Sequence, residues 1–131
     1  MALDNIQITF DEEFRGEMVS PSGKITLGDQ ENGMQPYHLL FGALGSCFYS
    51  TFLVIAKKRR LSFDKVTLEI SGSKVPDGDV RLLEKVKIEM VVFNPSNEKG
   101  LQKSAEFGAK FCSIHATVSK VAKIELVVTF Q

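Results

Sequence analysis

The sequence predicts an α+β fold in which antiparallel hairpins surround one long central helix. Apolar residues alternate with polar residues in several segments, as they do in strands with one buried face. One long uncharged run has the composition of a buried helix. The predicted order is three strands, the long helix, two strands, two helices and a closing strand. This order is not a repeating βαβ pattern, so the fold class is α+β.

The first 35 residues predict a short antiparallel region followed by a loop. Ile6, Ile8 and Phe10 alternate with polar neighbours. Pro36 suits the first turn of the helix that comes next, because its missing N–H would be unpaired there in any case. The predicted segments are a strand through Phe10, a strand at 14–19, a turn at 20–23, a strand at 24–27 and a loop at 28–35.

Residues 66–131 return to the two-residue period, with helical segments before the last strand. Ser96 or Asn97 can cap a helix that runs to about Phe111. A short helical turn is expected after Cys112, which would place this thiol at a helix N-terminus, where a thiolate is favoured. The predicted strands lie at 66–70, 86–92 and 124–130, with a hairpin turn at 75–79.

The eighteen residues 39–56 carry no charge, which is the length at which a membrane span becomes possible. We favour a core helix, because no second span exists and small or hydroxyl residues dilute the apolar run. One small sheet covers only one side of such a helix, so we expect the other side to pack on a second copy, giving a two-fold homodimer. The basic residues 57–60 then complement the helix dipole.

Composition narrows the functional classes. Sixteen basic and sixteen acidic residues cancel, which argues against a nucleic-acid partner. The acidic, alternating start MALDNIQITFDEEF lacks the pattern of a signal peptide, so we expect a cytoplasmic protein of one domain over 1–131, with no membrane association. The chain shows no glycine-rich phosphate loop, and Cys112 with His115 forms only half of a zinc spacing. We therefore expect neither a cofactor nor a metal.

The two cysteines, Cys47 and Cys112, have no CxxC spacing, so in the cytoplasm they are free thiols or a redox pair. Cys47 is mid-helix and could be a small buried hydrophobe. A reactive Cys47 would need a nearby cation, since the helix N-terminus gives it no direct help. His115 could lower the pKa of Cys112 or simply be a core or surface histidine.

The stretch PYHLLFGALGSC at 36–47 precedes an apolar helix with a basic end, and a second cysteine follows in FCSIHATV. In these motifs the chain resembles the OsmC/Ohr family of osmotically inducible and organic hydroperoxide resistance proteins, over nearly its whole length. The resemblance implies an OsmC-like domain and an intertwined dimer with sites at the subunit interface.

The resemblance also implies a thiol peroxidase cycle. Cys47 would attack an organic hydroperoxide and become a sulfenic acid. Cys112 would condense with it to a disulfide, which an external dithiol then reduces. Arg15 is the candidate for the arginine that polarises the thiol in the family; from the residues alone, a solvated strand position is equally possible.

One departure from the family pattern concerns the partner of that arginine. Peroxide-reducing members carry a glutamate within two residues after the proline, whereas this chain has Tyr37 and His38. His38 lies nine residues before Cys47, about 13.5 Å along the helix and on its opposite side, so it is not the base for that thiol. The departure moves the chain towards OsmC-like members without a settled substrate. The carboxylates considered as replacements are Glu12, Glu13 and Glu17.

Three functions therefore remain open. The leading hypothesis is reduction of organic hydroperoxides by Cys47 and Cys112. The second is a non-enzymatic module that holds a small apolar ligand while its thiols are incidental. The third is a scaffold with inert thiols. The distance between the two sulfurs discriminates among these, because the peroxidase cycle needs them within bonding reach.

Overall fold

The computed structural model describes all residues from 1 to 131 and has two three-stranded sheets and three helices. The predicted α+β class is confirmed. Contacts within the chain group it into two units, Met1–Leu40 and Phe41–Gln131.

The first unit is an antiparallel sheet of β1 (Gln7–Phe10), β2 (Arg15–Ser20) and β3 (Gly23–Gly28), in that order. Ile8 lies opposite Met18, and Met18 lies opposite Ile25, so these apolar side chains share one face. The intervening row, Thr9–Glu17–Thr26, lies on the other face. The sheet therefore has one apolar and one polar side.

Helix α1 (Pro36–Lys58) is longer than its uncharged stretch. The buried side chains of Leu44, Phe48, Phe52 and Ala56 recur every four residues and form one stripe of the core. By length and composition α1 could also cross a membrane, and 28% of its most apolar window is buried within the chain. A single such helix is weak evidence for a span, since the core helix of a soluble protein meets the same requirement.

The second unit adds the hairpin of β4 (Lys65–Lys74) and β5 (Leu83–Phe93), followed by α2 (Glu98–Phe111), α3 (Ser113–Ser119) and β6 (Lys123–Phe130). Asn97 caps α2, since its side chain accepts a hydrogen bond from the backbone N–H of Gly100 at 2.8 Å. Strand β6 runs parallel to β5. The two helices between these strands form the crossover that a parallel pairing requires.

Two glycines allow the layers of the second unit to pack closely. A Cβ at Gly45 would come within 2.6 Å of Ile70 Cδ1, so α1 lies directly on β4 at this point. A Cβ at Gly108 would lie 3.1 Å from the Cα of Phe52, so α2 approaches the backbone of α1. Helix α1 is thus packed between the sheet and α2, which fixes the position of the residues it carries.

Candidate thiol site

Two elements of the second unit bring the cysteines together, although they are 65 positions apart in the sequence. Cys47 lies in the middle of α1 and is half-buried, whereas Cys112, between α2 and α3, is 1% exposed. Both are free thiols. The two side chains lie near enough for each to shift the pKa of the other. The pairing of the two thiols is the central feature of the site.

Cys112 ends one helix and begins the next. Its backbone is extended, with φ −79° and ψ 120°, which interrupts the helical path between α2 and α3. Its sulfur accepts a hydrogen bond from the backbone N–H of His115 at 3.4 Å and so caps α3. The next two residues, Ser113 and Ile114, begin α3 and lower the pKa of Cys47 through hydrogen bonding.

The two thiols have pKa values displaced in opposite directions. Burial raises the pKa of Cys47, but the hydrogen bonds from Cys112, Ile114 and Ser113 together outweigh it and lower this pKa below its ordinary value. Burial also raises the pKa of Cys112, and so does its role as donor to Cys47. The site therefore favours a thiolate at Cys47 beside a protonated Cys112.

This arrangement reverses the expectation from the sequence. Cys112 does lie at a helix N-terminus, yet its pKa is raised. The pKa of Cys47, in the middle of its own helix, is lowered by residues in the first turn of a different helix. Sequence spacing could not reveal these donors, because they belong to residues far along the chain.

His115 does not supply a cation to this pair. Burial lowers its pKa, so the imidazole is favoured in its neutral form. Its contribution to Cys112 comes through the backbone N–H, which slightly offsets the upward shift of that thiol's pKa. The suggestion that the His115 side chain lowers the pKa of Cys112 is therefore wrong.

Arg15 belongs to the first unit, where it begins β2. Its guanidinium donates to Asp11 Oδ2 from Nε at 3.1 Å and from Nη2 at 2.9 Å. Glu13 Oε2 lies farther away, at 3.9 Å, and Glu17 pairs with Lys24 instead. The carboxylate partner is thus Asp11, which sequence reasoning missed although it lies just across the turn from Arg15.

His38 has a local role at the start of α1. Its Nδ1 accepts a hydrogen bond from the backbone N–H of Gln35 at 3.0 Å. This contact pairs a backbone donor just ahead of the helix.

No three side chains of His, Cys, Asp or Glu are grouped so as to hold a metal ion.

The fold and the site together define an α+β protein whose central helix presents a half-buried thiol to a second, buried thiol. The family model described as OsmC-like protein matches residues 28–127. The chain belongs to the OsmC-like family.

Individual relatives are distant in sequence but similar in fold. A hydroperoxide reductase from Mycoplasma pneumoniae is 21% identical over 128 residues, covering 93% of this chain and 91% of its own. The crystal structure of an OsmC-like protein from Mycoplasma pneumoniae has a TM-score of 0.86 at 21% identity, covering 98% of this chain and 97% of that one. An organic hydroperoxide resistance protein from Legionella pneumophila has a TM-score of 0.76 at 13% identity, with 98% of both chains covered.

Proposed function

We propose that this protein is a thiol-dependent peroxidase that reduces organic hydroperoxides to alcohols with Cys47 and Cys112. The observation that carries the proposal is the proximity of two free thiols that shift each other's pKa, so that one is favoured as thiolate and the other as thiol. Family membership and the hydroperoxide reductase among the relatives support the substrate class. We place the chemistry in the cytoplasm, where free thiols persist.

In the first step, the Cys47 thiolate attacks the terminal oxygen of the hydroperoxide. An S–O bond forms as the O–O bond breaks, and the leaving alkoxide takes a proton and departs as an alcohol. The sulfur loses two electrons and becomes a sulfenic acid. The N–H groups of Ser113 and Ile114 support this step because they stabilise the attacking thiolate.

In the second step, the sulfur of Cys112 attacks the sulfenic sulfur of Cys47. The S–S bond forms, the S–OH bond breaks, and the oxygen leaves as water after taking the proton of Cys112. An external dithiol then reduces the disulfide by exchange and is itself oxidised to a disulfide. Both thiols return to their starting state.

Arg15 completes the proposed machinery. A guanidinium keeps its charge throughout the working pH range and offers several donors, which suits both a thiolate and a peroxide oxygen. Its pairing with a carboxylate supports this role, since a guanidinium with one edge held has a defined orientation for the other.

A second copy of the chain is the expected partner. In the first unit, the apolar residues Ile6, Ile8 and Phe10 remain 44% to 51% exposed. In the second unit, Val54 on the outer side of α1 is 52% exposed. Burying such apolar surface against another subunit stabilises the protein, and the two-fold homodimer is the commonest assembly that does so.

The proposal is tested by stopped-flow oxidation of the reduced protein with cumene hydroperoxide. We expect Cys47→Ser to abolish rapid peroxide consumption. Cys112→Ser should consume about one equivalent and leave a sulfenic acid that dimedone traps. Ser46→Ala is the matched control, because that hydroxyl is exposed and bonds only to carbonyls of its own helix. Peroxide consumption by Cys47→Ser at the wild-type rate contradicts the proposal, and a co-purified apolar ligand would then favour a binding module.

A further inference from the structure

The turn between β1 and β2 is organised around the carboxylate of Asp11. One oxygen, Oδ1, accepts the backbone N–H of Glu13 at 2.7 Å, and the other accepts both donors from Arg15. The backbone N–H of Asp11 donates to the carbonyl of Arg15 at 3.2 Å. Asp11 therefore holds the backbone of this turn and the side chain of Arg15 at the same time.

The contact with Asp11 uses only one edge of the guanidinium. Nε and Nη2 lie on the same side of the group and both reach Oδ2. The opposite edge, formed by Nη1 and the second N–H of Nη2, makes no hydrogen bond to Asp11 and is available to donate to a ligand. Beside Arg15 is a hollow of about 780 Å³ whose lining includes Thr9, Thr26 and Gln30. A small oxygen-containing group has room to meet the available edge there.

The neighbouring segments brace this turn. The backbone N–H of Asp29 donates to the carbonyl of Phe14 at 2.7 Å. The Phe10 and Phe14 rings stack with centroids 5.7 Å apart. Gly16 has no space for a side chain, because a Cβ there would meet the Phe10 ring at 2.5 Å. The backbone that carries Arg15 is therefore fixed in the absence of a ligand. The freedom that remains is in the torsion angles of the Arg15 side chain, and the contact with Asp11 restricts these.

We propose that Asp11 is a positioning residue for Arg15 in peroxide reduction, an inference that rests on the proposed function. Without the carboxylate, the long arginine side chain samples several rotamers. Ordering it then costs conformational entropy each time a hydroperoxide reacts, which lowers the rate. With the carboxylate in place, the available edge of the guanidinium keeps a single direction. Asp11 acts through Arg15 and touches no reacting atom.

Glu13 provides a matched control within the same turn. It carries the same charge, is 68% exposed compared with 46% for Asp11, and lies 3.9 Å from Nη2 rather than in hydrogen-bonding contact. Asp11→Asn and Glu13→Gln therefore remove equal charge from one turn. Only the first substitution removes the close carboxylate contact with Arg15.

The experiment measures kcat/KM for cumene hydroperoxide in six proteins: wild type, Asp11→Asn, Asp11→Glu, Glu13→Gln, Arg15→Ala and the double variant Asp11→Asn/Arg15→Ala. We expect Asp11→Asn to lower kcat/KM on the order of tenfold and Glu13→Gln to leave it near the wild-type value. The double variant should be no slower than Arg15→Ala, because Asp11 acts only through Arg15. Asp11→Glu, which restores a carboxylate, should recover part of the loss. Circular dichroism should give the wild-type spectrum for every variant, which reports that the fold is intact.

The outcomes separate this inference from the proposed function. A wild-type protein that consumes no peroxide overturns both. Peroxide consumption that depends on Cys47 but not on Arg15 leaves the two-thiol chemistry standing and overturns the positioning role. Equal rates for Asp11→Asn and Glu13→Gln, or a loss from Asp11→Asn that persists when Arg15 is absent, also overturn it.

Discussion

The thiols of Cys112 and Cys47 lie near each other, and hydrogen bonding between them shifts their pKa values in opposite directions. Donation stabilises the thiolate of the acceptor and retains the proton of the donor. In a pair of identical side chains, the surrounding groups thus decide which sulfur is favoured as the thiolate.

The first prediction concerns the pH dependence of alkylation. Because the pKa of Cys47 is lowered, its reaction with iodoacetamide should rise with pH and reach half-maximum below the ordinary pKa of a thiol. The pKa of Cys112 is raised, so its half-maximum should lie above that value. Mass spectrometry of the two peptides across a pH series measures both. Cys112→Ala should move the Cys47 midpoint upward, and an unchanged midpoint would show that the donated hydrogen bond has no effect.

The second prediction concerns the donors at the start of α3. Ser113→Pro removes both the N–H and the hydroxyl of this residue, whereas Ser113→Ala removes only the hydroxyl. Proline is tolerated at the first position of a helix, and the extended backbone of Cys112 suits a following proline. The pKa of Cys47 should therefore rise more in the proline variant than in the alanine variant, as measured by alkylation.

Circular dichroism provides the control for that comparison, since both variants should keep the helical signal of the wild type. Equal Cys47 midpoints in the two folded variants would mean that the Ser113 N–H does not support the thiolate.

The third prediction concerns the packing of α2 on α1. Gly108→Ala places a methyl group 3.1 Å from the Cα of Phe52, and backbone atoms cannot move aside as a flexible side chain can. Overpacking of this kind typically costs about 1–3 kcal/mol of unfolding free energy, which exceeds the gain of about 0.5–1 kcal/mol from alanine in a helix. Urea denaturation measures the net loss. Gly23→Ala, which meets nothing within 4 Å, should change stability by less than about 0.5 kcal/mol.

The fourth prediction concerns self-association. Ile8→Asp puts a charge on the exposed apolar face of the first sheet, and it should shift the protein from dimer towards monomer in sedimentation velocity. Gln7→Asp adds the same charge to the opposite face, so it should leave the dimer intact. A wild-type protein that sediments as a monomer at all concentrations would contradict the proposed assembly.

The regular elements were accessible from the sequence because their patterns are local. Alternation around Ile8, Ile88 and Leu126 identified strands, and Asn97 identified the start of α2. The parallel direction of β6 was not predicted, since alternation has the same period in either direction.

The electrostatics of the site depended on contacts that sequence spacing does not encode. The donors to Cys47 come from Ser113 and Ile114, which the fold brings back to α1 through a strand hairpin and a second helix. The partner of Arg15, by contrast, lies only four positions away in the sequence. The family pattern points to a glutamate at this place, whereas here the shorter Asp11 reaches the guanidinium because a tight turn separates the two residues.

Cys112 terminates α2 and caps α3, and its side chain lies near Cys47 of α1, so the pair of thiols stands where all three helices meet. A covalent link at this point would fasten them to one another and close a 65-residue loop, a constraint worth about 4 kcal/mol against unfolding. The oxidised form should consequently melt at a higher temperature than the reduced form in differential scanning calorimetry, and equal melting temperatures would contradict this. The melting temperature of a sample would then indicate whether the protein has been oxidised since it was last reduced.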